Sequence, residues 1–206
     1  CIEEISVNRS NRGHPTVKYY GHWPFIRYFG LEEPASVLFS ILNMIPHFCH
    51  LIWSFVSKQK TCYMKRWLQG YALVACIAWI SSAIYHSKKN EQTTHLDLIT
   101  ALAFIVSGLL LAARRIIGIS VHPKRFAVFT STLLLCWGWR ANSMLQGEVS
   151  FDSHMWLSIG LVVLTTLLWV GWVLHTLLFV SNRREGRAKY LCLLCQGWLC
   201  VASALD

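Results

Sequence analysis

Ser82, His86 and Asp97 place a hydroxyl, an imidazole and a carboxylate within one short stretch, SSAIYHSKKNEQTTHLD, Ser81–Asp97. These residue types together support two chemistries. An imidazole flanked by a hydroxyl and a carboxylate can activate the hydroxyl as a nucleophile. An imidazole can also hold a zinc ion whose bound water the carboxylate and hydroxyl then handle. A third arrangement does no chemistry: Ser82 bonds the carbonyl of Ala78, His86 sits at an interface, and Asp97 is a charge at a helix start. Ser82 and His86 are four residues apart, which on a helix puts them on one face about a turn apart.

The elements that must position these groups are apolar runs. Crossing the hydrocarbon takes roughly 20 apolar residues at about 1.5 Å each. Six stretches reach or approach that length: Ala35–Val56, Trp67–Tyr85, Leu96–Ala113, Phe126–Trp139, Met155–Val180 and Tyr190–Leu205, the fourth and sixth being the shortest. With 54% hydrophobic residues, ten tryptophans and only 14% charged residues over 206 positions, the chain predicts an all-α, polytopic membrane helical bundle. Residues 1–34 form a polar segment before it, and 35–206 form one bundle.

The net charge of +9 does not point to nucleic acid, because the basic residues alternate by loop. Lys58, Lys60, Lys65 and Arg66 lie between the first two spans, Arg114, Arg115, Lys124 and Arg125 between the third and fourth, and Arg183, Arg184, Arg187 and Lys189 between the fifth and sixth. The other connections carry only Lys88, Lys89 and Arg140. This is the positive-inside pattern. It places the N-terminal segment, the Ser82–Asp97 connection and the Arg140–His154 connection on the non-cytoplasmic side. Asn8-Arg9-Ser10, a glycosylation sequon, falls on that side too. In the N-terminal segment, HWPFIRYFG (His22–Gly30) suits the aromatic belt, and Glu33-Pro34 suits a helix start. The second span then runs outward and the third returns, so Ser82, His86 and Asp97 converge at one depth.

Neither chemistry is complete from these residues. Ser82 lies in a regular helix, without the strand-to-helix elbow that exposes a nucleophile. A catalytic zinc needs about three protein ligands. His47, His50 and His175 fall a helix length away, toward the opposite face of the membrane. His14, His22, His95 and His154 are on the correct side but lack helical spacing, and they read as surface residues, as does His122 beside a proline. The zinc reading therefore requires further ligands from outside the 206 residues. The chain begins with Cys1 rather than Met and stops at Asp206, where the sixth span ends, so it reads as a piece of a longer protein. Its eight cysteines form no framework. Cys192-Leu-Leu-Cys195 has redox spacing but lies in an apolar span, where a thiol is inert, whereas Cys1 falls in the oxidising compartment.

GHWPFIRYFGLEEPASVLFSILN (Gly21–Asn43), then W-x-S-S-x-x-x-H with an Asp eleven residues after the His, resembles the post-GPI attachment to proteins factor 3 family. These luminal lipid-remodelling phospholipases share a hydrolase superfamily with the alkaline ceramidases and adiponectin receptors. The resemblance covers essentially the whole chain and is most specific in Trp23-Pro24-Phe25, Arg27, Glu33-Pro34-Ala35-Ser36 and the Ser82/His86/Asp97 spacing. It implies seven spans, six of them here. It also implies a zinc site in which Ser82 matches the signature Ser, His86 the first zinc His and Asp97 the signature Asp. Two further His are expected beyond Asp206, which looks like the Asp of the turn leading to the seventh helix.

The implied activity is metal-dependent hydrolysis of the sn-2 acyl ester of the GPI lipid on newly anchored proteins. It would take place in the Golgi or endoplasmic reticulum membrane with the site facing the lumen, and with GPI-anchored proteins and membrane phospholipid as substrate. Arg140, near the luminal end of the fourth span, is a candidate contact for the lipid phosphate. His22, Glu32, Thr94, His95 and the stretch after Phe151-Asp152 depart from the family pattern, and the acidic motif that would hold calcium in ceramidases is absent. A ceramidase-like amide hydrolase and a non-enzymatic chaperone or receptor for GPI-anchored proteins are the alternatives.

Overall fold

The computed structural model describes residues 2–15, 17, 28, 30–56, 64–117, 122–147 and 150–180. Among them the chain forms six helices: α1 (Ile2–Asn11), α2 (Pro34–Val56), α3 (Lys65–Ser87), α4 (Glu91–Ile117), α5 (Pro123–Leu145) and α6 (Phe151–Val180). The described residues contain no strand, only an isolated bridge between Tyr28 and Leu31. The all-α expectation holds. The expected sixth span, Tyr190–Leu205, lies outside the described residues.

Helices α2 to α6 each run past, at one end or both, the apolar stretch that announces them. Hydropathy stops where charged residues begin, but Lys, Glu and Gln are good helix formers and continue the turns. Thus α4 starts at Glu91, five residues before Leu96. α5 starts with Pro123 in its first turn, where a missing N–H costs nothing, and continues past Arg140 to Leu145. α1 is a helix that the polar composition of the N-terminal segment did not announce. It closes at Gly13, whose φ of +72° supplies the left-handed turn that lets the His14 N–H reach the Arg9 carbonyl at 3.0 Å.

Four of the described helices are long and apolar enough to cross a membrane: Pro34–Val56, Lys65–Ser87, Glu91–Ile116 and Phe151–His175. α2 packs on α3, α3 on α4, and α4 on both α5 and α6, which makes α4 the centre of the bundle. Its Leu102 and Leu109 are the largest fully buried side chains. One core cluster joins Tyr71, Ala75 and Ala78 of α3 to Phe104 and Leu111 of α4, and a second joins Leu102, Val106 and Leu110 to Phe129, Leu133 and Trp137 of α5 and Leu161 of α6. The outward faces are apolar as well: Phe39, Trp53, Phe55, Leu135, Trp139 and Leu167 are all exposed. In water that would be a liability, but in a bilayer it is a surface matched to its solvent.

Lipid offers no hydrophobic drive between helices, so close packing of small residues carries the association. Ala75 of α3 and Ala112 of α4 are both at 0% exposure. Ala75→Leu is therefore expected to overpack the α3–α4 seam and cost about 1–3 kcal/mol, read as a lowered unfolding temperature of the detergent-solubilised protein. α2 is attached differently. Its only buried residues are two serines, Ser40 and Ser54. Gln69 Nε2 of α3 donates to Ser54 Oγ at 3.0 Å near one end, and Ser40 meets Ser82 near the other.

Candidate active site

The polar rim is built where α2 starts, α3 ends and α4 starts. The last carbonyls of a helix have no intrahelical partner. Here the carbonyl of His86 accepts from the Glu33 N–H at 3.1 Å, and that of Ser87 accepts from the Glu32 N–H at 3.2 Å. The lead-in to α2 is thus tied by its backbone to the end of α3. Glu33 immediately precedes Pro34, the first residue of α2, so its side chain is delivered to the rim by the helix start itself. The turn to α4 is equally short. Asn90 caps α4 reciprocally with Thr93: the Thr93 N–H donates to Asn90 Oδ1 at 2.8 Å, and the Asn90 N–H to Thr93 Oγ1 at 3.0 Å.

Glu33 is the hub. His86 Nδ1 lies 2.5 Å from its Oε2, and Lys89 Nζ donates to its Oε1 at 2.6 Å. Glu32 Oε2 accepts from the Lys89 N–H at 3.0 Å. Burial would raise the Glu33 pKa, but the hydrogen bonds from Lys89 and His86, with their charges, outweigh it and hold the carboxyl below its ordinary range. An ionised carboxylate only accepts, so His86 Nδ1 donates to Glu33, and Nε2 is the ring nitrogen turned away from it. Among the described residues no protein group occupies Nε2. A ring held in this way by a carboxylate is the arrangement that orients a metal-binding or proton-accepting imidazole.

A carboxylate whose folded pKa is depressed stabilises the fold above its unfolded value, and loses that contribution as pH falls through the lower, folded value. The Glu33 linkage is therefore present above its ordinary value of 4.5 and lost below it. The wild type should lose thermal stability on acidification beneath that point, while Glu33→Gln should start lower and show less of this loss. Melting curves of the two proteins across the acid range check it.

Ser82 does not bond the Ala78 carbonyl. Its Oγ lies 3.1 Å from Ser40 Oγ, which is itself 2.9 Å from the Ser36 carbonyl. Ser82 and His86 share a face, as the spacing requires; Ser82 meets α2 and His86 meets Glu33 just before it. They make no hydrogen bond to each other, and Ser82 is partnered by a hydroxyl rather than a base. Asp97 lies half-buried in the second turn of α4, not the first, because α4 begins early. Its carboxylate makes no hydrogen bond among the described residues and lies within the electrostatic reach of His86. Arg140 is on α5, where its Nη2 donates to Ser153 Oγ at 2.9 Å.

His14 and His122 are exposed as expected and His95 is half-buried. His154 overturns its expectation of a surface position: it is 4% exposed, because α6 turns it into the bundle. His22, with Trp23-Pro24-Phe25 and Arg27, lies outside the described residues. So do Cys1, Cys192 and Cys195. Cys49, Cys76 and Cys136 are free thiols.

Glu33, Ser40 and Lys89 are the site residues that the sequence reading missed. Glu33-Pro34 and the i, i+4 serines Ser36 and Ser40 are their only local signals. Among the described residues no group of three or more His, Cys, Asp or Glu is placed to hold a metal ion. His86 offers one imidazole nitrogen, so these residues do not by themselves fit a zinc site.

Helices of membrane-spanning length around a rim where an imidazole, a carboxylate and a hydroxyl lie together define a polytopic membrane protein with a polar centre at one end of its bundle. The chain belongs to the Per1-like family, which it matches over residues 1–206. It is 27% identical over 189 residues to GPI-specific phospholipase A2-like PGAP3 of Xenopus tropicalis, covering 92% of this chain and 55% of that protein. It is 30% identical over 181 residues to Post-GPI attachment to proteins factor 3 of Drosophila melanogaster, covering 84% of this chain and 52% of that protein. Protein PER1 homolog of Schizosaccharomyces pombe is 33% identical over 109 residues, covering 51% of this chain and 32% of that protein. The chain thus spans about half the length of the first two of these relatives. No solved structure matches.

Proposed function

We propose that this chain is the rim-bearing part of a GPI-remodelling lipid hydrolase that removes the sn-2 acyl chain of the GPI lipid. The observation that carries the reading is the His86 imidazole, fixed through Nδ1 on ionised Glu33 with Nε2 open. Family membership and the names of the relatives support the substrate class.

In the reaction, water adds to the ester carbonyl carbon, the bond from that carbon to the glycerol oxygen breaks, and a fatty acid and a lysophospholipid leave. Asp97, a carboxylate without a hydrogen-bond partner among the described residues, accepts the water proton and returns it to the departing glycerol oxygen. Ser82 donates to the ester oxygen, which gains charge as water adds. Glu33 keeps His86 in the tautomer that presents Nε2. Zinc is part of the proposal through the family resemblance. His86 would give it one imidazole, two more would come from outside the described residues, and the ion's chemistry is to acidify a bound water to about pKa 7. The rim sits at the end of the spans, the depth of a glycerol ester; the charge pattern of the loops supports a non-cytoplasmic orientation, and the family resemblance supports the Golgi or endoplasmic reticulum membrane.

The test is the purified full-length protein with a GPI lipid labelled on the sn-2 chain. Labelled fatty acid should be released, release should stop with a chelator, and zinc should restore it. Intact, correctly inserted protein that releases none overturns the hydrolase. Release indifferent to chelation overturns the metal.

A further inference from the structure

Arg140 and His154 make a second polar corner at the same end of the bundle as the Glu33–His86 pair. The helices alternate in direction, so the end of α3 at Ser87, the start of α4 at Glu91, the end of α5 at Leu145 and the start of α6 at Phe151 lie together. Trp137 Nε1 of α5 donates to the Ile99 carbonyl of α4 at 3.3 Å and sets the register of the two helices. Arg140 follows Trp137 by one turn on the same face, and Asp97 precedes Ile99 by two residues on the antiparallel neighbour. Arg140 is thereby level with the turn of α4 that carries Asp97.

The corner is polar, cationic and incomplete. Arg140 spends Nη2 on Ser153 Oγ, while its Nε is buried with no partner. The next residue, His154, is 4% exposed, and its Nδ1 is likewise buried with no partner. His154 lies within the field of Arg140. No carboxylate pairs with Arg140 among the described residues, and neighbouring Asp152 is exposed. Buried N–H groups without partners are rare in folded proteins and need a reason. A guanidinium held at the edge of the hydrocarbon with an open N–H calls for an oxyanion, and its planar fork matches a phosphate.

We infer that Arg140 and His154 form a phosphate-binding corner that takes the phosphodiester of a membrane phospholipid, with Ser153 aiming the guanidinium. On the hydrolase reading above, on which only this last step rests, the corner holds the glycerol ester toward Asp97.

The experiment is native mass spectrometry of the full-length protein in a phosphate-free detergent, titrated with phosphatidylinositol or with diacylglycerol of the same acyl chains. Wild type should retain phosphatidylinositol about ten-fold or more over diacylglycerol, the difference made by one or two charge-assisted hydrogen bonds. Arg140→Gln and His154→Phe should bring that ratio toward one with diacylglycerol retention unchanged. Arg140→Lys, which keeps the charge without the fork, should fall between and serves if the other variants do not fold. Competition by millimolar inorganic phosphate without any preference between the two lipids would assign the corner to free phosphate and overturn the lipid source. An undiminished ratio in the folded variants overturns the site. Absence of acyl release by the wild type, with its lipid preference intact, would sink the hydrolase and leave the corner standing.

Discussion

His86→Ala in the full-length protein is expected to lower GPI acyl removal by on the order of a thousand-fold or more, since on the proposed mechanism one substitution removes both an oriented imidazole and a zinc ligand. The protein should still insert, because His86 is a rim residue and the α3–α4 core of Tyr71, Ala75, Phe104 and Leu111 lies deeper. The readout is the share of cellular GPI lipids keeping an unsaturated sn-2 chain, measured by mass spectrometry in cells that make only the variant. Remodelling that persists at the wild-type level would remove His86 from the chemistry and return the chain to the chaperone or receptor reading.

The second large effect is expected at Asp97. Asp97→Asn keeps the shape of the side chain and removes its capacity to take a proton, so activity should fall by roughly 10²–10⁴, the usual contribution of a general base. Glu33→Gln offers the internal comparison. It leaves Nε2 in place but loosens the ring, so a loss of about 10–100-fold is expected, the scale of outer-shell changes at metal sites. Glu33 should act through metal affinity, so added zinc should recover much of the Glu33→Gln loss and none of the Asp97→Asn loss. A Glu33 variant as impaired as the Asp97 variant and deaf to zinc would contradict a positioning role.

The helices were legible because each span is a continuous apolar run, and lipid solvent leaves little else for such a run to do. What was illegible came from two sources. Helix ends made of charged residues carry no apolar signal, which hid the early start of α4 and moved Asp97 one turn deeper than its apolar stretch suggests. Pairings between helices are not local. Glu33 and His86 are 53 residues apart and Ser40 and Ser82 are 42 apart, so no periodicity within one helix announces them. The same blindness hid His154. Spacing puts it near a helix start, but which way that start faces depends on how α6 packs against α4. The Ser82–His86 relation lies inside one helix, and it was readable from a spacing of four residues.

α2 buries only two serines and is pinned by hydrogen bonds at both ends. Hydrocarbon competes with apolar packing but cannot compete for a hydroxyl–hydroxyl or amide–hydroxyl bond, whereas water can. The α2–α3 boundary is therefore a seam that a bilayer keeps shut and that hydration opens. Stripping lipid with a short-chain detergent, which lets water into that seam, would carry Glu33 away from His86 before the α3–α4 core gives way. A purified sample could then be well folded by most measures and yet inactive, and the choice of amphiphile becomes part of any activity assay on this protein.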